Sequence, residues 1–155
     1  MEDMLLPGSS PEKLAWMAGF WEGEGNIYIS RRVRSSGRKG ISGHYALKVS
    51  VVNTDRELLE SFTTFFGGFI ATQKSKKIGH KDCYHWILAG GKKAERFIRA
   101  ILPYLYSSRR RAQLEEGLCF ISSTCQKPQG FVRPLDRAEI EQREGHYQRM
   151  KTLHV

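Results

Sequence analysis

The chain has 155 residues, with 25 lysines and arginines against 16 acidic residues, a formal charge of +9 and a pI near 9.7. That length suits one domain spanning 1–155 with a real core, and the charge points to a polyanionic partner, nucleic acid before membrane. No apolar run nears transmembrane length, Met1-Glu2-Asp3-Met4 lacks the basic start and apolar core of a signal peptide, and Cys83, Cys119 and Cys125 form no Cys-x-x-Cys pair, which argues against a zinc site and for reduced thiols.

Ser10-Pro11 opens a helix over about residues 11–22, because serine caps well and proline suits the first helical position. Leu14, Met17 and Trp21 recur at helical spacing as an apolar stripe. Ala15, Ala18, Gly19 and Glu22 make a second stripe, small until its last member, which suits close approach of another helix, within the chain or from a second copy. Gly23-Glu24-Gly25 ends the helix and leaves Glu24 at its tip. A helix dipole is negative there, so Glu22 and Glu24 call for a nearby cation. Carboxylates beside exposed carbonyls offer the oxygen ligands of a hard divalent ion, magnesium first. The other reading is a glycine-rich turn with two solvated glutamates.

Period-two alternation predicts a strand near Asn26 to Arg34, with Ile27, Ile29 and Val33 on one side and Asn26, Tyr28, Ser30, Arg32 and Arg34 on the other. A basic turn carrying Arg38 and Lys39 leads to a second strand near Tyr45 to Val52, pointing Leu47, Val49 and Val51 inward and Lys48 and Ser50 outward. Thr54-Asp55-Arg56-Glu57 has the pattern of a capping box opening a second helix, which Gly67-Gly68 ends. A second hairpin, roughly Phe69 to Lys76 and Cys83 to Ala89, is expected to turn Ile70, Thr72, Lys74 and Lys76 outward with Cys83, His85 and Ile87. Gly90-Gly91 starts a third helix closed near Pro103, and C-terminal helices cover about 109–153. The expected fold is therefore α+β: a four-stranded antiparallel sheet in the order αββαββα, helices on one face, and C-terminal helices beyond. Its uncovered face would be rich in positive charge.

Met17 to Gly25, in the letters MAGFWEGEG, resembles the LAGLIDADG motif of homing endonucleases, with both aspartates replaced by glutamate. The element order fits that family, as do Asn53-x-Asp55 before a leucine-rich helix, Tyr84-x-Trp86, Leu102-Pro103-Tyr104-Leu105 and the cluster Arg109-Arg110-Arg111. The likeness covers about residues 10 to 122.

One motif in the chain implies a homodimer, with Ala15, Ala18, Gly19 and Glu22 at the helix pair and a pseudo-palindromic DNA target. The resemblance makes Glu24 the metal-binding acid and Gly23 the position whose carbonyl joins it, with Glu22 the more structural acid. Asn53 falls near the family's metal-bound water, though a helix cap explains it equally. The family's basic residue for the scissile phosphate aligns with Ser108, a departure, so Arg109 or Lys48 would take that role. Base readers on the sheet would be Asn26, Tyr28, Ser30, Arg32, Arg34, Lys48, Ser50, Thr72, Lys74 and His85. Lys76, Lys77, His80, Lys81, Arg38 and Lys39 would meet phosphates.

The implied function is a site-specific double-strand DNA endonuclease using Mg2+ or Mn2+, with Ca2+ supporting binding without cleavage. The alternative is an intron-splicing maturase, or a non-cleaving DNA- or RNA-binding protein on the same scaffold, and intron RNA is then a further candidate partner. A basic scaffold protein is a third reading. No membrane association is expected. An intracellular setting fits, whether chloroplast, mitochondrion, or bacterial or phage-infected cytoplasm.

Overall fold

The computed structural model describes residues 8–35, 41–124 and 135–155. Helix α1 (Pro11–Glu24) leads into β1 (Gly25–Ser35) and β2 (Ile41–Asn53), followed by α2 (Arg56–Phe66). Strands β3 (Phe69–Gln73) and β4 (Cys83–Ala89) come next, then α3 (Gly91–Ile101), a 3-10 turn (Leu102–Tyr104), α4 (Ser108–Thr124) and α5 (Arg137–Leu153). The strands form one antiparallel sheet in the order β1-β2-β4-β3. The helices pack on one face, and the core between them is aromatic. Phe62, Phe97, Trp21 and Trp86 are fully buried, with ring centroids 5.0 Å apart for Phe62–Trp86 and 5.5 Å for Trp86–Phe97. The Trp86 indole N–H donates to the Gly67 carbonyl at 2.8 Å, which satisfies its polar edge inside the core.

Ser10 caps α1 by accepting from Lys13 N at 3.2 Å, and Pro11 stands at the start, as the sequence predicts. The turn from α1 into β1 requires glycine: a Cβ on Gly25 would run into the Trp21 ring and carbonyl. The cap of α2 lies one residue later than the predicted box. Asp55, not Thr54, accepts from Glu57 N at 3.0 Å, and the Asn53 side-chain oxygen accepts from Asp55 N at 2.8 Å. Both acceptors serve the same turn: Asp55 answers one of the first N–H groups of α2, and Asn53 answers the N–H of the cap residue itself.

Helix α5 opens with a full capping box between Asp136 and Glu139. It is fastened to the sheet through Glu144, which accepts from Arg31 Nη1 at 2.7 Å and from the Tyr45 hydroxyl at 2.6 Å. Burial first, then Glu144, pushes the Tyr45 hydroxyl up to about 12. Near its end, His154 Nε2 donates to the Ile27 carbonyl at 2.7 Å. Between α4 and α5, His146 Nδ1 meets Glu116 Oε1 at 2.6 Å. Among the described residues no helix is long and apolar enough to cross a membrane.

The β3 strand corrects the predicted alternation. Phe69, Ala71 and Gln73 pair with Ile87, His85 and Cys83, while Ile70 and Thr72 pair with Trp86 and Tyr84. Directly paired residues share a face, so Ile70 and Thr72 look toward the helices, and Phe69, Ala71 and Gln73 look away from them. β3 ends at Gln73, so Lys74 and Lys76 belong to the connection to β4. Arg38 and Lys39 lie outside the described residues, as does the side chain of Arg34.

Candidate functional site

The two glutamates at the end of α1 have opposite environments. Glu22 is half-buried, and its Oε1 accepts from the backbone N–H of Tyr106 at 2.9 Å and from that of Ser107 in a short contact. These donors precede α4, so Glu22 supplies the negative charge favoured at a helix N-terminus. Arg110, in the first turn of α4, reaches back. Its Nε donates to the Glu22 carbonyl at 3.1 Å, Nη2 to the Gly25 carbonyl at 2.9 Å and Nη1 to Gln113 Oε1 at 3.2 Å. Its guanidinium sits 5.1 Å from the Trp21 ring centroid. Burial, with Arg109 adding to it, lowers the pKa of Arg110, and Glu22 opposes the shift. The cation that the α1 dipole calls for is therefore Arg110, and the dipole gives no argument for a metal.

Glu24 differs. It is exposed and makes no hydrogen bond or ion pair among the described residues. Gly23 beside it is exposed, and as one of the last helical residues its carbonyl has no intrahelical N–H to accept from. A free carboxylate next to an end-of-helix carbonyl is an all-oxygen donor pair suited to a hard divalent ion. Among the described residues no three His, Cys, Asp or Glu side chains form a metal-holding group. An ion held by these two oxygens would have to draw its further ligands from outside the described residues.

The exposed side of α1 is lined by Ala15, Trp16, Gly19 and Gly23, and Trp16 is 42% exposed. A Cβ built on Gly19 or Gly23 meets nothing within 4 Å. Ala18, assigned to this stripe from sequence, is fully buried with Leu14, Met17 and Trp21. The open small-residue stripe is therefore Ala15, Gly19 and Gly23, running to the foot of Glu24.

The face of the sheet away from the helices carries most of the predicted recognition residues. Asn26, Tyr28, Ser30 and Arg32 of β1 stand opposite Ser50, Lys48, Ala46 and His44 of β2. Asn26 and Arg32 are exposed. Ser30 donates to the Ala46 carbonyl at 3.2 Å. Lys48 is half-buried between Tyr28 and Ala89. Ser50 points outward but is only 8% exposed, which corrects its assignment as an open base reader. Thr72 is on the opposite face, as its register shows. His85 stays on the outer face, its Nε2 2.9 Å from Gln73 Oε1. Lys74, Lys76, Lys77, His80 and Lys81 are exposed in the β3–β4 connection, which is tied by Ser75 N donating to Asp82 Oδ1 at 3.0 Å.

The Asn53 side-chain oxygen accepts from the N–H of Asp55, the cap residue of α2, so it braces the turn that leads into that helix. Arg109 is exposed on the first turn of α4. Sequence reasoning missed Arg110, Gln73 and Phe69. Arg110 lay within a quoted basic cluster whose members look alike in sequence, and only the helix phase separates them. Gln73 and Phe69 were hidden by the phase of β3.

The family described as LAGLIDADG endonuclease matches residues 17–115, from Met17 in α1 to Glu115 in α4. No curated protein matches the chain. Among solved structures, the homing endonuclease I-CvuI, crystallised with the I-CreI target in the presence of Mg with the DNA not cleaved, is 19% identical with a TM-score of 0.68, over 92% of this chain and 82% of that one. An archaeal intron-encoded homing endonuclease complexed with DNA gives a TM-score of 0.70 at 14% identity, over 92% and 84% of the two chains. I-LtrWI, a LAGLIDADG homing endonuclease bound to target DNA, gives 0.69 at 19% identity, and this chain, 94% covered, spans 46% of that one. At these identities the likeness is one of fold.

Proposed function

The chain belongs to the LAGLIDADG endonuclease family, and from that premise we propose that it cleaves double-stranded DNA at a specific site, as a homodimer, with divalent cations held at Glu24. The single observation that carries the reading is the state of Glu24: exposed, without a hydrogen bond or ion pair among the described residues, and at the point where the open stripe of α1 meets the uncovered sheet. A protein that only bound nucleic acid would gain nothing from a free carboxylate facing phosphates.

Glu24 and the Gly23 carbonyl would hold the ion, magnesium or manganese by their oxygen character. A bound divalent ion lowers the pKa of a coordinated water and neutralises charge building on the phosphate oxygens. Pairing α1 with its two-fold mate through Ala15, Gly19 and Gly23 brings a second Glu24 to the same centre, which supplies the carboxylate that one chain lacks. A two-fold protein then asks for a pseudo-palindromic site. Glu22 and Arg110 act as positioning residues, fixing the end of α1 against α4 so that Glu24 starts from a rigid base. Lys48 and Arg109 are the cations left for the scissile phosphate, one on the sheet and one on α4.

Glu24→Gln tests this. With magnesium and a randomised duplex library, the parent yields double-strand breaks at one long site. The variant is expected to lose cleavage by more than about 100-fold, beyond what loss of an outer-shell partner costs, while still binding that site in calcium. Undiminished cutting by Glu24→Gln would refute the assignment. Binding without cutting by the parent, on DNA or on a folded intron RNA, would move the chain to the non-cleaving alternative.

A further inference from the structure

An apolar patch interrupts the otherwise polar and basic outer face of the sheet. Phe69 and Ile87 are direct cross-strand partners, Ala71 and Ala89 lie two residues on along β3 and β4, and on β2 the small Ser50 faces Ile87 while Val52 faces His85, diagonal to Ile87. Phe69 is 56% exposed, and among the described residues the helices pack on the opposite face. A sheet face that met only water would carry polar residues at these positions.

Its surroundings select the occupant. Lys48 faces Ala89 across the strands, and the β3–β4 connection adds the exposed Lys74, Lys76, Lys77 and Lys81. An apolar protein surface, or the same face of a second copy, would bring these lysines together or desolvate them without counter-charge. A DNA groove answers both requirements, with phosphates for the lysines and one apolar group on its floor. In the major groove that group is the C5-methyl of thymine, and phenylalanine and alanine are among the side chains that contact it.

We propose that Phe69 and Ile87, flanked by Ala71, Ala89 and Val52, read thymine through its methyl group. The assignment rests on the sheet being the DNA interface, and it names what the β3–β4 half of that interface recognises.

The test replaces single thymines by deoxyuridine, which removes the methyl and leaves base pairing intact. Duplexes are first recovered by binding selection with the full-length protein in calcium. Affinity is expected to fall about fourfold at the thymines under the patch, equivalent to about 0.8 kcal/mol for one buried methyl. Phe69→Ser should bind thymine and deoxyuridine duplexes alike, whereas Phe69→Leu should keep the preference. Parent binding indifferent to every deoxyuridine replacement, with a duplex firmly bound, overturns the thymine assignment alone. Discrimination retained by Phe69→Ser does the same. Failure to recover any duplex would remove the DNA reading of the sheet together with it. Self-association lost in Phe69→Ser but kept in Gly19→Leu would identify a second copy as the occupant, again overturning the proposal.

Discussion

Glu22 and Glu24 are the same residue type two positions apart, and only their surroundings separate a structural acid from a chemical one. The Glu22 carboxylate answers two backbone N–H groups ahead of α4. Glu22→Ala should leave those donors unmet at a half-buried corner and cost about 1–3 kcal/mol. Glu24→Ala removes no hydrogen bond or ion pair among the described residues and should stay within about 0.5 kcal/mol of the parent. Urea midpoints measure both, and equal losses would contradict the division of roles. Tyr45 ties stability to alkaline pH. Its pKa is raised from 10.0 to about 12 in the folded chain, so between those values the unfolded chain loses the proton first. Stability therefore falls as pH rises through that window. Tyr45→Phe should flatten the fall; an unchanged alkaline slope would show that the tyrosine does not titrate in this way. Glu144 works in the opposite direction. The Tyr45 hydroxyl, above all, holds its pKa below 4.5, so its contribution is present above that value and fades as pH falls through the lowered one.

Helix α1 shows which elements can be read from sequence and which cannot. Leu14, Met17, Ala18 and Trp21 follow i, i+3, i+4, i+7 and are the buried face. Grouping Ala18 with Ala15 and Gly19 by size, instead of by helical angle, placed it on the wrong side. The angle also brings Gly23 into the open stripe. Because Gly19 is exposed with free space around it, Gly19→Leu should leave the folded chain intact while pushing two helices apart. Sedimentation of the variant should show monomers, with cleavage lost in parallel; a dimer of parental strength would move the interface elsewhere. The strands of the first hairpin were legible because Ile27, Ile29, Leu47, Val49 and Val51 recur at every second position, with Asn26, Tyr28, Lys48 and Ser50 between them. β3 was not, because Phe69-Ile70-Ala71 are three apolar residues in a row at a sheet edge and carry no phase. Its phase is set by Gly67 and Gly68, both at positive φ, and by pairing with β4. The cap of α2 slipped by one residue for a related reason. Thr54 and Asp55 are both competent caps, and Asn53 bonding to Asp55 N decides between them.

At the scale of the whole molecule, the charge of +9 is unevenly placed. Glu22, Glu144 and Glu116 are engaged on the helix side by backbone donors, Arg31, His146 and Arg149. The β3–β4 connection and the outer strands instead keep Lys74, Lys76, Lys77, Lys81 and Arg32 exposed. Such a layout turns net charge into a directed field, and binding through it should release counter-ions. A dimer neutralising about ten phosphates gives log affinity falling with log salt at a slope of about −9. Lys77→Gln then reports the assembly state as well as the contact. In a dimer it removes two cations at once and should reduce the magnitude of the slope by about 1.8, against about 0.9 for a chain that binds alone. Affinity measured across a salt series for parent and variant separates these outcomes. A response near zero in the parent would mean that the basic face does not meet phosphates, and the smaller decrement would leave the DNA contact standing while removing the second subunit from it.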